Sequence, residues 1–383
     1  MNFSRLCGFA LAAVLFTACS DDDDASLLQL ADNEDKAISL TAEAEEYEIP
    51  FVSSAAWQAT VTSDVADWIT VAPLSGEGLN TEQHITVSAL ANMTTDERVA
   101  TVTISAGGNK IEINVTQEAA SADVIQEALN NALAVNRFAK FDVAEINEEA
   151  ATIKFCTELN NTSSAWAEWN ADWATKQYTA ADGKKYRVPT ALEMQLLMPG
   201  YAEPYRVGFT KSIDNLTLNE KLPEEMGGES TSVFRTSANK IEVGTDPQEA
   251  YAVYAVRFTG TAQRSAYFYR WYNTGSEADA HLCIRVKAIA DDNVTIDQIA
   301  DNDEFWSNGY IEINMPACGM NFGSFAFLVG ASGDYWTSTS GGLNQDNAGI
   351  SDYAFSMSFT DSYGYLADSR KSNAFNLRMI AAE

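Results

Sequence analysis

The chain has 383 residues, with 54 acidic and 24 basic side chains and a formal net charge of −30. A field of that sign repels nucleic-acid phosphates and anionic lipid headgroups, which argues against both as partners. Hydrophobic residues make up 46% of the sequence, ordinary for a globular protein, so the acidity does not spell disorder and the length leaves room for two or three domains.

Arg5 is the only charge in the first eighteen residues, and an apolar run from Leu6 to Phe16 follows it, closed by the small pair Thr17-Ala18 and then Cys19. A basic start, a short apolar stretch and small residues before a cut read as a secretory signal over residues 1–18. The run is well short of the roughly 20 apolar residues that cross a bilayer as a helix. Leu15-Phe16-Thr17-Ala18-Cys19 resembles a bacterial lipobox, which implies lipidation at Cys19 and a membrane partner through that anchor. Asp21-Asp22-Asp23-Asp24 resembles the signal that sends Bacteroidetes lipoproteins to the outer face of the outer membrane. The expected localisation is therefore the outer membrane, lipid-anchored and exposed on the cell surface, with residues 19–36 as an acidic, aperiodic tether.

From residue 37 the pattern alternates, as in Trp57-Gln58-Ala59-Thr60-Val61-Thr62. Alternation rich in β-branched residues predicts half-buried strands. Val99–Ser105 and Ile111–Thr116 flank Gly107-Gly108-Asn109, a hairpin in which glycines supply positive φ. Several short strands in this stretch suggest a β-sandwich. Trp57, Asp67-Trp68-Ile69-Thr70-Val71, Ser75-Gly76-Glu77-Gly78, Asn92 with Arg98, and Val115-Thr116-Gln117 together resemble the BACON domain over residues 37–118. That resemblance implies an immunoglobulin-like module of Bacteroidetes surface proteins, suspected of binding carbohydrate or serving as a spacer.

Over residues 123–138 the period becomes helical, with Val124, Ile125, Ala128, Leu129, Ala132 and Leu133 on one face, and this helix is expected to open a second domain over 123–383. Farther on, Thr190 with Glu193 fits a capping box behind Pro189, predicting a helix through Leu196 and Leu197 that Pro199-Gly200 stops. Tyr186-Arg187-Val188-Pro189-Thr190, Met315-Pro316-Ala317-Cys318-Gly319, Asp334-Tyr335-Trp336-Thr337-Ser338-Thr339 and Leu377-Arg378-Met379 resemble, in this order, motifs of the Fibrobacter succinogenes major paralogous domain. That resemblance implies a C-type-lectin-like α+β fold. The expected architecture is thus multidomain: an all-β immunoglobulin-like sandwich, then an α+β C-type-lectin-like domain carrying a long, loop-rich insertion at about 200–312.

His84 and His281 are the only histidines and lie one in each expected domain, so a His-based metal site or nucleophile system lacks the gathering of groups it needs. Apart from Cys7 and Cys19, the cysteines are Cys156, Cys283 and Cys318, read as buried thiols with room for one disulfide. Asp301-Asn302-Asp303-Glu304 lacks the glycine and spacing of an EF-hand and reads as a solvated loop, with calcium left open. No catalytic residue, metal or cofactor is expected. Aromatic rings remain. Trp166, Trp169 and Trp173 fall at helical spacing. Trp271, Tyr272, Tyr269 and Tyr335 are the candidate ligand-binding residues, since an exposed ring can stack on a sugar face. The expected function is a glycan-binding or adhesive receptor without catalysis, capturing polysaccharide or host glycan. The alternative is a structural or accessory subunit of a surface filament or envelope assembly with a protein partner.

Overall fold

The computed structural model describes residues 27–31, 36–63, 65, 67–159, 165–200, 207–243, 249–273, 279–322, 325–341 and 352–382. The expected signal, Cys19 and the aspartate run lie outside the described residues. The chain divides into two compact units between Ser121 and Ala122.

In the first unit the strands are β1 (Leu28–Leu30), β2 (Ala37–Leu40), β3 (Glu45–Ser53), β4 (Trp57–Ser63), β5 (Ile69–Ala72), β6 (Ser75–Gly76), β7 (Glu82–Ala89), β8 (Arg98–Ala106) and β9 (Asn109–Gln117). They form two sheets, ordered β1-β3-β7-β5 and β2-β9-β8-β4-β6. Alternate residues of both, among them Phe51, Trp57, Ile85, Val87, Val102 and Ile113, close into one core. The turn from β8 to β9 places Gly107 and Gly108 at φ 54° and 85°, between the paired residues Ala106 and Asn109. Two successive positive φ values are what a two-residue hairpin with the sheet's own twist requires. Asn92 and Arg98 lock the open end. Asn92 Nδ2 donates to the carbonyls of Asp96 and Glu118 at 2.8 and 2.9 Å, while the Arg98 guanidinium lies 4.6 Å from the centre of the Trp68 ring.

One boundary needs correction. The tether expected over 19–36 gives way at Leu28–Leu30, which pairs antiparallel with Phe51–Ser53. Leucines at both ends of this triplet pack against the sandwich core, and burying them recovers about 25 cal/mol per Å² of apolar surface.

Strands also dominate the second unit, where an α+β arrangement was expected. Its helices are α1 (Ala122–Ala132) and the single turns α2 (Ala171–Thr175), α3 (Ala191–Met194) and α4 (Ile296–Ile299). The segment expected as a loop-rich insertion holds the longest sheet among the described residues: β10 (Leu216–Lys221), β11 (Glu229–Thr236), β12 (Val253–Thr259), β13 (Ser265–Tyr272), β14 (His281–Ala288) and β15 (Ile311–Pro316), each beside the next. Its central strand β12 is buried on both faces as far as Phe258, so the alternation that marks a half-exposed strand is absent. After it come the hairpin β16 (Met320–Phe322) and β17 (Phe325–Phe327), then β18 (Ser332–Ser340), β19 (Tyr353–Thr360) and β20 (Tyr363–Arg370), three adjoining strands of one sheet. Tyr267, Tyr269, Trp271 and Ile284 of the long sheet pack with Met198, Tyr335, Met357 and Phe359 in one core.

Among the described residues of this unit, two ion pairs are fully buried. Arg257 Nε donates to Glu220 Oε2 at 3.0 Å, and Arg378 Nε to Asp142 Oδ1 at 2.6 Å. Each guanidinium also reaches backbone carbonyls, of Gln195 for the first and of Ala139, Lys140 and Asn314 for the second. Such saturation is what allows a buried pair to offset its desolvation. The capping box forms, with Thr190 Oγ1 and Glu193 exchanging bonds across the first turn of α3. That helix ends at Met194, and tighter turns carry the chain to Met198. Trp169 and Trp173 are buried without sharing a helix, because Asn170 between them caps α2 through the amides of Asp172 and Trp173. Cys156, Cys283 and Cys318 are buried thiols, and no disulfide joins cysteines among the described residues.

Candidate binding face on the long sheet

Strand alternation decides what β13 to β15 present. Tyr267, Tyr269 and Trp271 of β13, Leu282, Ile284 and Val286 of β14, and Ile313 and Met315 of β15 enter the core. Their neighbours point the other way, as successive side chains on a strand must. Register aligns these outward residues into rows: Phe268, Arg285 and Glu312; Arg270, Cys283 and Asn314; Tyr272, His281 and Pro316. Ile296 and Ile299 of α4 and Trp306 pack over Phe268 and the strands beyond it. The rest of the face stays half-buried at Arg270, Tyr272, His281, Arg285 and Asn314, and exposed at Glu312.

Rings and guanidinium groups alternate across this surface. Tyr272 and His281 stack with centroids 5.1 Å apart and planes 10° from parallel. Arg270 lies over Tyr272 at 4.5 Å, and Arg285 over Tyr310 at 4.5 Å. Arg285 Nε donates to Glu312 Oε2 at 2.9 Å, and Asn314 Nδ2 to Glu312 Oε1 at 3.1 Å. Nδ1 of His281 lies 2.7 Å from the Asp279 carbonyl oxygen. A carbonyl only accepts, so Nδ1 carries the hydrogen and Nε2 is left as an acceptor in the neutral ring. Two buried atoms in the middle row have no hydrogen-bond partner among the described residues: the donor Arg270 Nε and the acceptor Asn314 Oδ1.

Burial sets the protonation states. It holds the His281 ring below its ordinary pKa against the pull of the Asp279 carbonyl, so the imidazole is neutral at pH 7. It pushes the Cys283 thiol up to about 12 and raises Tyr272 as well. A thiol so far above neutrality supplies almost no thiolate, the form that attacks. What remains is a surface of donors, acceptors and ring faces, suited to holding a polar ligand.

Of the four rings expected to bind ligand, only Tyr272 lies on this face. Tyr269 is 0%, Trp271 1% and Tyr335 0% exposed, a correction with one cause. Tyr269 and Trp271 occupy the inward phase of β13, where Tyr269 Oη accepts from Arg257 Nη1 at 2.8 Å and Trp271 packs 6.1 Å from Phe359. Tyr335 donates to Asp142 Oδ2 at 2.8 Å inside the core. Arg270, His281, Arg285, Glu312 and Asn314 were not expected at a site. The signal that could have found them is the period of two running through Tyr272.

The first unit carries a further open groove of about 670 Å³ between β4, β6 and the β8–β9 turn. Its one large ring, Trp57, is 3% exposed and packs so tightly on Gly76 that a Cβ there would come within 2.6 Å of it. That groove therefore offers a ligand polar side chains such as Gln58, Glu77 and Lys110 rather than a ring face.

Residues 130–380 match the family described as a domain of unknown function, DUF8237, and residues 28–120 match the viral BACON domain. No curated protein matches the sequence. Among solved structures, a Bacteroides ovatus GH5 xyloglucanase in complex with a XXXG heptasaccharide is 20% identical, with a TM-score of 0.22 over 45% of this chain. The chain covers 32% of that enzyme. A Bacteroides thetaiotaomicron protein solved by NMR is 18% identical, covering 27% of this chain and 99% of its own, with a TM-score of 0.19. SSP-19, an MSP-domain-like protein of Caenorhabditis elegans, is 12% identical over 22% of this chain and 95% of its own, with a TM-score of 0.19.

Proposed function

For a chain that belongs to the DUF8237 family and carries a BACON domain ahead of that region, we propose a lipid-anchored, surface-exposed receptor that binds glycan without catalysis. The observation that carries this reading is the half-open face of β13 to β15. There the Tyr272–His281 stack adjoins Arg270 Nε and Asn314 Oδ1, which have no hydrogen-bond partner among the described residues. A sugar suits such a surface, because its hydroxyls both donate and accept and so meet the donors and acceptors around the stack. Anchorage at Cys19 and display through Asp21–Asp24 rest on the sequence motifs alone, and outer-membrane placement follows from them. The motifs around Thr190, Pro316 and Trp336 further suggest a distant relation to the Fibrobacter succinogenes major paralogous domain.

A second reading, an accessory subunit with a protein partner, has its own support. β17 ends its sheet with one strand neighbour among the described residues, and Phe325, Phe327 and Leu328 there are 70%, 50% and 54% exposed. An apolar strand edge can pair with a strand of another chain. A glycan array probed with residues 25–383, alongside Tyr272→Ala and Phe325→Ser/Phe327→Ser, separates the two. Sugar capture lost only in the first variant supports the receptor. Absence of any glycan signal, with pull-down of envelope proteins lost only in the second variant, favours the subunit.

A further inference from the structure

The binding face holds an arginine that forms no ion pair with a carboxylate among the described residues, and this points to the kind of glycan it takes. Resting on the glycan-binding reading, we infer that the ligand is an acidic sugar whose carboxylate pairs with Arg270, while its hydroxyls meet Asn314 and His281.

Arg98, Arg270 and Arg370 form no ion pair with a carboxylate among the described residues, and of the three only Arg270 has a buried Nε without a hydrogen-bond partner. With 54 acidic residues against 24 basic ones, carboxylates are plentiful. Arg187, Arg235, Arg257, Arg285 and Arg378 each lie within 4.0 Å of one. Arg270 has no carboxylate partner among the described residues. Its Nη2 donates only to the Glu242 carbonyl at 3.2 Å, its Nε to nothing, and its guanidinium rests on the Tyr272 ring. Half-burying a charge and leaving one of its donors unmade costs free energy that a ligand carboxylate recovers. A planar carboxylate suits the guanidinium fork better than a hydroxyl does. Across the row, Asn314 Oδ1 lacks a donor, and the neutral His281 leaves Nε2 as an acceptor. An anion alone cannot serve those two atoms, since it brings no hydrogen. A sugar hydroxyl can. A ring bearing both a carboxylate and hydroxyls, a uronic acid, satisfies the donor and the acceptors together.

The test uses residues 25–383 and four polymers: polygalacturonate, its carboxyl-reduced neutral form, a sulfated galactan and double-stranded DNA. Titration calorimetry at 50 and 300 mM NaCl should show polygalacturonate bound at least about tenfold more tightly than the reduced polymer at 300 mM. There salt screens the repulsion between the chain's net negative charge and a polyanion more than it screens the half-buried Arg270 contact. Arg270→Gln should bring the two polymers to equal affinity. Arg270→Lys, which keeps the charge but loses the fork, should restore only part of the preference. Equal binding of acidic and reduced polymers by the wild-type chain would overturn the inference while leaving the glycan reading intact. Sulfated galactan or DNA bound as tightly as polygalacturonate would overturn the uronate assignment. Binding of no polysaccharide at all would overturn the glycan reading itself. The wild-type comparison decides the matter even if an arginine variant fails to fold.

Discussion

Trp271 and Tyr272 are neighbours on one strand, yet truncating each should have opposite consequences. Trp271 is 1% exposed and meets Phe359 in the main core of the second unit. Removing such a side chain costs transfer free energy plus the cavity left behind, about 3–5 kcal/mol for Trp→Ala. In a unit of this size each kcal/mol moves the midpoint by about 2–4 °C, so Trp271→Ala should lower Tm by on the order of 10 °C. Tyr272 is half-buried and makes one stack with His281 and one contact with Arg270. Those contacts are worth roughly 0.5–1.5 and 0.5–1 kcal/mol, so Tyr272→Ala should cost only a few degrees while abolishing glycan capture. Differential scanning calorimetry of residues 25–383, followed by polysaccharide binding well below the lower midpoint, reads both quantities. Equal Tm losses would refute the assignment of the two rings to opposite faces. Undiminished capture by folded Tyr272→Ala would refute the binding face.

Further outcomes are expected at three places in the chain. Arg257→Met should destabilise the second unit by about 3–5 kcal/mol, because Glu220 is left buried and unpaired, whereas Arg257→Met with Glu220→Leu should recover most of the loss; chemical denaturation checks this. Cys283 should resist iodoacetamide in the native chain at pH 8 by roughly a thousandfold relative to the urea-unfolded chain, followed by mass spectrometry, since its thiol is pushed up to about 12. The same shift fixes a sign: the unfolded thiol ionises near pH 8.5 and the folded one does not, so Cys283's contribution to stability is whole below that pH. It falls by about 1.4 kcal/mol per unit from there towards about 12. In cells, Cys19→Ala should move the protein from the membrane to the soluble fraction, while replacing Asp21–Asp24 with Ala should keep it membrane-bound but shielded from added protease.

What the sequence disclosed was what local rules control. The β8–β9 hairpin was legible because Gly107-Gly108 and a period of two point to the same structure. The Thr190–Glu193 capping box was legible because both partners lie within one turn. β1 escaped notice because a three-residue strand exists only through its pairing with Phe51–Ser53, which no local pattern announces. The long sheet was mistaken for loops because burial of β12 on both faces erases its alternation. At the site the difficulty was phase. Tyr267, Phe268, Tyr269, Trp271 and Tyr272 place aromatic rings at both odd and even positions, so hydrophobicity alone could not say which rings face the core. The unremarkable Arg270, set among them, was the better guide to the outward face.

The buried arginines give this face something that its own side chains do not. Arg257 holds the Tyr269 hydroxyl on the inner side of β13 and ties it to Glu220 on β10. Arg378 donates to the Asn314 carbonyl on β15 at 2.9 Å while paired to Asp142. Two of the three strands that form the candidate face are therefore gripped from behind by charged hydrogen bonds at positions adjacent to, or identical with, residues on its outward side. Charge-assisted bonds are about twice as strong as neutral ones, and in the low-dielectric core they fix geometry at little further cost in entropy. A surface whose outward contacts are few and half-wet gains most from such rigidity, because weak contacts add up only when they are already in place before the ligand arrives. If the face binds glycan as proposed, the inward network of arginines accounts for how a shallow surface, with one arginine that meets no carboxylate among the described residues and one short stack of rings, would present a fixed pattern to a flexible polysaccharide.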